Sequence, residues 1–180
     1  MMIVYGIVGC RIATKFGQTM ARVIGRELAN KNINIISGLA VGIDKYAHLG
    51  ALDSEIGKTV AVLGTGVDDN DIYPYQNLRV FERILEQGGA IVSEYCIGAK
   101  PERKHFPARN RIISGLSDKV IVVEAKKKSG SLITANWALE QGKDVFAVPG
   151  NIIAKNSVGT NNLIKEGANL FSNLDDLLFI

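Results

Sequence analysis

Basic side chains crowd one stretch of this 180-residue chain. The twelve residues from Lys100 to Arg111 hold five cations and one acid, net +4, in a protein whose formal net charge is +3. Phe106 and Pro107 stand in the middle of it, just ahead of a helix expected to begin near Ala108. Cations interleaved with a ring at the mouth of a helix suit phosphates and an unstacked base. A solvated loop whose arginines anchor neighbouring carboxylates is the alternative reading. From 100 to 128, with Lys126, Lys127 and Lys128 included, the sum is +6 and the remainder of the chain is −3. The mild net charge says little about partners; its placement says more.

Four turns rich in small residues could hold an anion. They are Gly9-Cys10-Arg11, Ser37-Gly38 with Gly42, Gly64-Thr65-Gly66 and Ser129-Gly130-Ser131. Glycine lets a backbone approach a phosphate, and a helix N-terminus behind the turn offers unpaired N–H donors. Any one such turn is explained by chain reversal, whereas four on one edge point to an anion site. Named nucleotide motifs fail. No GxxxxGK[ST] occurs, and the GxG at Gly64 meets Asp69 where a third glycine would stand, within the acidic run from Asp68 to Asp71. Asp44 and His48 lie four apart on one expected helix and could pair as a general base. The competing reading gives Asp44 the turn after Gly42 and makes His48 a satisfied core histidine. Two separated cysteines, Cys10 and Cys96, and two histidines make no CxxC pair and no metal cluster, so neither a metal nor another cofactor is expected.

The elements that must position these turns alternate from end to end. Strands are expected at Ile3–Val8, Asn34–Ser37, Thr59–Leu63, Ala90–Glu94, Val120–Glu124 and Asp144–Val148. They read as continuous apolar runs, as when both faces of a parallel sheet are covered. Helices are expected at Lys15–Asn30, Ile43–Glu55, Gln76–Gln87, Ala108–Leu116 and Leu132–Gln141, the first capped by Thr14. Beyond Pro149-Gly150 come a short helix at Gly159–Glu166, a brief strand at Asn169–Phe171 and a closing helix at Leu174–Ile180. The expected fold is α/β, a doubly wound, mostly parallel sheet in one domain over residues 1–180, with about 151–180 an extension of it. Right-handed crossovers put the glycine turns on one edge. Apolar residues at 47% and charged ones at 22% are ordinary for a soluble globular protein. No run approaches the ~20 apolar residues of a membrane span, and the N-terminus reads as a strand rather than a signal peptide. A cytoplasmic protein with free thiols is expected.

The chain resembles the DNA-processing protein A (DprA/Smf) family over nearly its full length. The matching pieces run in family order: the first turn through Arg11, Ser37-Gly38-Leu39-Ala40-Val41-Gly42-Ile43-Asp44, Tyr73-Pro74 with Asn77, Phe106-Pro107-Ala108-Arg109-Asn110-Arg111, Ser129-Gly130-Ser131-Leu132-Ile133-Thr134-Ala135, and Val148-Pro149-Gly150. The resemblance implies an extended Rossmann-like domain that binds single-stranded DNA without sequence preference. It also implies protection of incoming strands in natural transformation, help in loading the recombinase RecA, a homodimer, and no reaction catalysed. Carried onto this chain, Arg11, Arg109 and Arg111 neutralise phosphates, Gly130-Ser131 form the phosphate-side loop, and Phe106 offers a stacking face or packs beneath the loop. Asn110 belongs to the same motif. Three positions depart from the family pattern. Val41 replaces a usual basic residue, Tyr75 follows Tyr73-Pro74 where lysine or proline is common, and Cys10 stands for serine. Lys100, Arg103 and Lys104 are candidates to restore the lost charge. The chain corresponds to the family's central domain, without the flanking domains many relatives carry.

Two other functions remain open on the residues alone. One is an enzyme on nucleoside monophosphates of the phosphoribohydrolase kind, which needs an acid soon after its glycine loop, whereas here none follows Gly130 until Glu140. The other is a sensor of small nucleotides using the same turns.

Overall fold

The structure is a computed structural model that describes residues 2–177. Seven parallel strands form a single sheet: β1 (Val4–Val8), β2 (Asn34–Ser37), β3 (Thr59–Val62), β4 (Ala90–Val92), β5 (Lys119–Val122), β6 (Asp144–Ala147) and β7 (Asn169–Leu170). Their order across the sheet is β4-β3-β2-β1-β5-β6-β7. Every pairing is parallel, with Gly6 opposite Ile36 on one side and Val120 on the other. The chain winds outward from β1 in one direction, then returns to its other side at β5. At that reversal the loops after β1 and β5 part, opening a crevice beyond the carboxyl ends of the strands.

Among the described residues six helices cover the sheet: α1 (Lys15–Asn30), α2 (Ile43–Ala51), α3 (Leu78–Glu86), α4 (His105–Gly115), α5 (Gly130–Glu140) and α6 (Val158–Lys165). Successive strand residues feed opposite layers. Ile7, Ile35, Ile121 and Phe146 pack with Ile24, Leu28 and Ala47, whereas Val8, Ile36, Val122 and Ala147 pack with Ile113, Ala135 and Ala138. This is the period of two expected of a strand, with both faces dry. The Thr14 hydroxyl caps α1 by accepting the Gly17 amide at 3.1 Å.

The doubly wound α/β fold expected from the sequence is the one observed, and the sheet is wholly parallel. Boundaries differ at informative places. α4 begins three residues before Ala108, because proline in a first turn loses only an N–H that has no intrahelical acceptor, so Pro107 does not delay the helix. α5 likewise starts at Gly130 rather than Leu132. β4 stops at Val92 and β5 at Val122, and α2 ends at Ala51 rather than Glu55. The closing helix is a 3-10 turn at Leu174–Leu177, and its expected continuation over 178–180 lies outside the described residues. Among the described residues no helix is long and apolar enough to cross a membrane.

Candidate nucleic-acid interface

A cleft of about 730 Å³ opens at the strand reversal between β1 and β5, a size that suits a ligand site. Its walls come from three parts of the chain. The loop after β1 gives Gly9, Cys10, Arg11 and Ile12; the approach to α4 and its first turns give Arg103, Phe106, Pro107, Arg109 and Asn110; the loop after β5 gives Lys126, Lys128, Ser129, Gly130 and Ser131. Five cations therefore line the cleft against one acid, Asp44.

The cations are not equivalent. Arg11 is exposed and lies over the Phe106 ring, its guanidinium carbon 5.3 Å from the centroid, a contact worth about 0.5–1 kcal/mol at such a site. Arg109 is only 4% exposed. Its Nη1 donates to the Gly38 carbonyl at 2.8 Å and also to the Val62 carbonyl. Asp44 is buried beside it and accepts the Gly38 amide at 3.2 Å. Burial pushes the Asp44 carboxyl up to about 6, although Arg109 and the amides of Ala40 and Gly38 favour its charged form. Burial also draws the Arg109 guanidinium down to about 10, against the pull of Asp44. Arg109, through the Gly38 carbonyl, therefore ties α4 to the loop after β2 beneath the cleft floor.

The resemblance implied that Arg109 and Arg111 neutralise phosphates, and the structure places the two apart, Arg109 in the cleft wall and Arg111 beside Glu94. Arg109 directs Nη1 to two backbone carbonyls and Nε to the Asn110 side chain. Arg111 turns away from the cleft and pairs with Glu94. The reason is helical phase: two residues on a helix point roughly 200° apart, so the two arginines of this motif cannot share a face once α4 begins at His105.

The glycine turns divide in the same way. Ser37 is fully buried and its hydroxyl donates to the Ile7 carbonyl at 2.6 Å. A Cβ on Gly38 would stand 2.5 Å from Arg109 Nη2, and one on Gly64 would stand 2.9 Å from the Phe106 ring. The Gly66 amide donates to the Ala99 carbonyl at 3.0 Å. Gly42, at φ +80°, presses on the Cys10 and Arg11 carbonyls. These four glycines let loops and side chains of the protein approach one another, and none of them lines the cleft. Gly130 differs, because a Cβ there would meet nothing within 4 Å. It opens α5, whose preceding Ser129 makes no capping hydrogen bond and pairs instead with the Ser131 hydroxyl at 2.8 Å. The first-turn amides of an 11-residue helix thus meet the cleft with no side chain capping them. Asn110 fixes this end, its amide donating to the Gly130 carbonyl at 3.2 Å.

Phe106 is half-buried, wedged between Gly64, Arg11 and Tyr73, whose ring centroid lies 5.7 Å away. Packing accounts for much of its surface. Val41 and Tyr73 flank a smaller pocket of about 50 Å³ that adjoins Arg11 and Phe106. Tyr75 is exposed.

Asp44 and His48 do not form a pair. His48 is fully buried with Nδ1 2.8 Å from the Thr59 hydroxyl, which itself donates to the Ile35 carbonyl, so the ring nitrogen carries the proton. Burial holds this imidazole down at about 3. Among the described residues no cluster of His, Cys, Asp or Glu could hold a metal ion.

Arg103, a candidate to restore the lost charge, lines the cleft, whereas Lys126, Lys128 and Thr134 were not singled out as cleft residues. The lysines were legible as a charge run, and what could have placed them was the position of β5 next to β1, since the loops at a strand reversal face each other.

Comparison with known proteins gives a consistent picture. The family model of DNA recombination-mediator protein A matches residues 2–179. The chain is 49% identical over 173 residues to the protein Smf of Synechocystis and 47% identical over 172 residues to the DNA processing protein DprA of Streptococcus pneumoniae. Each match covers 96% of this chain but 42% and 59% of those relatives, so the chain spans about half the length of the curated relatives it matches. The crystal structure of the Streptococcus pneumoniae DprA superposes with a TM-score of 0.90 at 45% identity, covering 98% of this chain and 61% of that one. A structure of DNA processing protein A from Helicobacter pylori, which describes its single-stranded DNA binding mode, gives 0.88 at 34% identity over 98% of this chain and 78% of that one.

Proposed function

The chain belongs to the DNA recombination-mediator protein A family, and from that premise we propose that its cleft binds single-stranded DNA through the sugar-phosphate backbone. One observation carries the reading: Arg11, Arg103, Lys126 and Lys128 converge with the open N-terminus of α5 on one cleft, whose single acid lies buried against Arg109. Amides and cations hold phosphates in register without reading bases, so binding is independent of sequence. The finer role is protection of strands during DNA uptake and natural transformation and their delivery to the recombinase RecA by a homodimer. The site performs no bond-breaking, a reading supported by the burial of His48 in its bond to Thr59, away from Asp44.

The test is fluorescence anisotropy with labelled oligo-dT and with duplex of the same length. Tight binding to the single strand and weak binding to duplex are expected. Combined Arg11→Ala, Lys126→Ala and Lys128→Ala substitution should weaken it at least tenfold with an unchanged melting temperature. Unaltered affinity in that variant would remove the cleft as the site. Displacement of the strand by AMP, or release of adenine from AMP, would favour a nucleotide site instead.

A further inference from the structure

Three loops are clasped together beside the cleft. The Asn156 side chain donates to the Ile12 carbonyl at 2.8 Å and to Glu124 Oε2 at 3.3 Å. The Asn156 backbone carbonyl accepts the Ala125 amide at 2.8 Å. The turn after β6 is thereby fixed against the loops that follow β1 and β5. It is also braced from within. Asn151 Oδ1 accepts the Ile153 amide at 3.0 Å, and the Asn161 side chain bonds both the amide and the carbonyl of Gly150, at 3.1 and 3.0 Å.

On this braced turn Ile152 and Ile153 are 87% and 85% exposed, and Ile12, across the clasp, is 76% exposed while lining the cleft. Two residues separate Ile153 from Asn156, a span of at most about 11 Å of chain, so Ile152 and Ile153 stand as a ledge on the turn that Asn156 joins to Ile12 in the cleft wall. Single exposed apolar residues need no explanation, but a rigid group of them marks a contact surface. Its surroundings are cationic. Lys126, Lys127, Lys128 and Lys155 are exposed, and among the described residues none of the four forms a salt bridge. The acid in this region, Glu124, is buried and bound to Thr14.

We propose that this ledge is a second subsite for the same strand, on which bases leaving the cleft lie against Ile12, Ile152 and Ile153 while their phosphates pass the lysines. An apolar ledge among unpaired cations matches the two faces of an unstacked single strand, whose bases are flat and apolar and whose backbone is anionic. The inference rests on the cleft binding a strand, and it extends the site toward β6.

Affinity for oligo-dT of roughly 6 and roughly 20 nucleotides, near the lower end and beyond the upper end of the site sizes of single-strand-binding modules, tests it. For the wild type, the longer oligonucleotide should bind more tightly. In the Ile152→Ser/Ile153→Ser variant the short oligonucleotide should keep its affinity and the long one should lose about tenfold. Ile153→Trp, which offers a stacking ring on the same exposed backbone, should strengthen the long oligonucleotide selectively. Unchanged affinity at both lengths in both variants would overturn the subsite, as would altered sedimentation of the free protein with unchanged strand affinity, which would make the ledge a contact between copies of the chain. Wild-type protein that binds neither length would instead overturn the strand reading of the cleft itself.

Discussion

Arg11 and Arg109 approach the same cleft, yet truncating them should have different consequences. Arg109→Ala would strand the buried Asp44 carboxylate and leave the Gly38 and Val62 carbonyls without their donor. Leaving a buried acceptor without its donor costs about 1–3 kcal/mol, so thermal or urea unfolding should show a clear loss of stability. Arg11→Ala removes an exposed cation and should leave the unfolding midpoint nearly unchanged while weakening oligo-dT binding several-fold. Equal stability losses for the two variants would contradict this division. The sequence motif made Arg109 and Arg111 look like equivalent phosphate ligands. What separates them is a contact between positions 71 residues apart, Arg109 to Gly38, which no local pattern encodes. The phase difference between the two arginines was readable in principle, but only with the start of α4 correctly placed.

Asp44 and His48 also make a prediction about pH. The folded state keeps a proton on Asp44 up to about pH 6, where the unfolded chain releases it near 3.8. That contribution to stability is present at low pH and lost as pH rises through about 6. His48 acts in the opposite sense, because the folded state refuses, down to about pH 3, a proton that the unfolded chain accepts near 6.5. Its contribution is lost as pH falls through that window. The two oppose each other between about pH 6 and 4. Asp44→Asn, in which the amide oxygen can still accept the Gly38 N–H, should expose the His48 effect. The urea midpoint of the variant should therefore fall more steeply than that of the wild type from about pH 6 to 4. Parallel curves would contradict the assignment.

At the scale of elements, the N-terminus of α5 is the part of the cleft built from backbone alone. Gly130 has open space where a Cβ would go, so Gly130→Asp should fold. A carboxylate in a first helical turn is mildly stabilising, by about 0.3–1 kcal/mol. The same charge would repel a phosphate at those amides. Gly130→Asp should therefore raise or preserve the melting temperature while lowering oligo-dT affinity about tenfold, and unchanged affinity would place the strand elsewhere. This helix illustrates how far sequence reading reached. Its glycine and serines were identified as a phosphate loop, but so were Gly38, Gly42, Gly64 and Gly66, which are small because Arg109, backbone carbonyls, Phe106 and Asp71 press on them. Composition treats all such turns alike. Only packing distinguishes a glycine that admits a ligand from one that admits a neighbour.

Across the whole molecule, charge arrangement sets how binding responds to salt. Four cleft cations, Arg11, Arg103, Lys126 and Lys128, are able to displace counterions, whereas Arg109 is held by carbonyls. For a single strand each neutralised phosphate contributes about −0.7 to the slope of log K against log salt, giving roughly −3 for a short oligonucleotide. Raising salt fourfold should cost roughly fiftyfold in affinity, and a slope near zero would exclude a phosphate-centred site. The sheet itself was well foreshadowed, because strands covered on both faces are written as unbroken apolar runs such as Val120 to Val123. The order of those strands was not, since nothing in a run of valines names its neighbour.

That order has a consequence for how the protein comes into being. β1 precedes β2 to β7 in the chain, yet it lies mid-sheet and must wait for β5, more than a hundred positions later, to complete its second flank. A chain halted before β5 would carry Arg11 and the α4 wall with Arg103, but neither Lys126 and Lys128 nor the open end of α5. On the proposed reading, the polyanion cradle is thus completed only once β5 has paired with β1 and brought Lys126, Lys128 and the open end of α5 to the cleft.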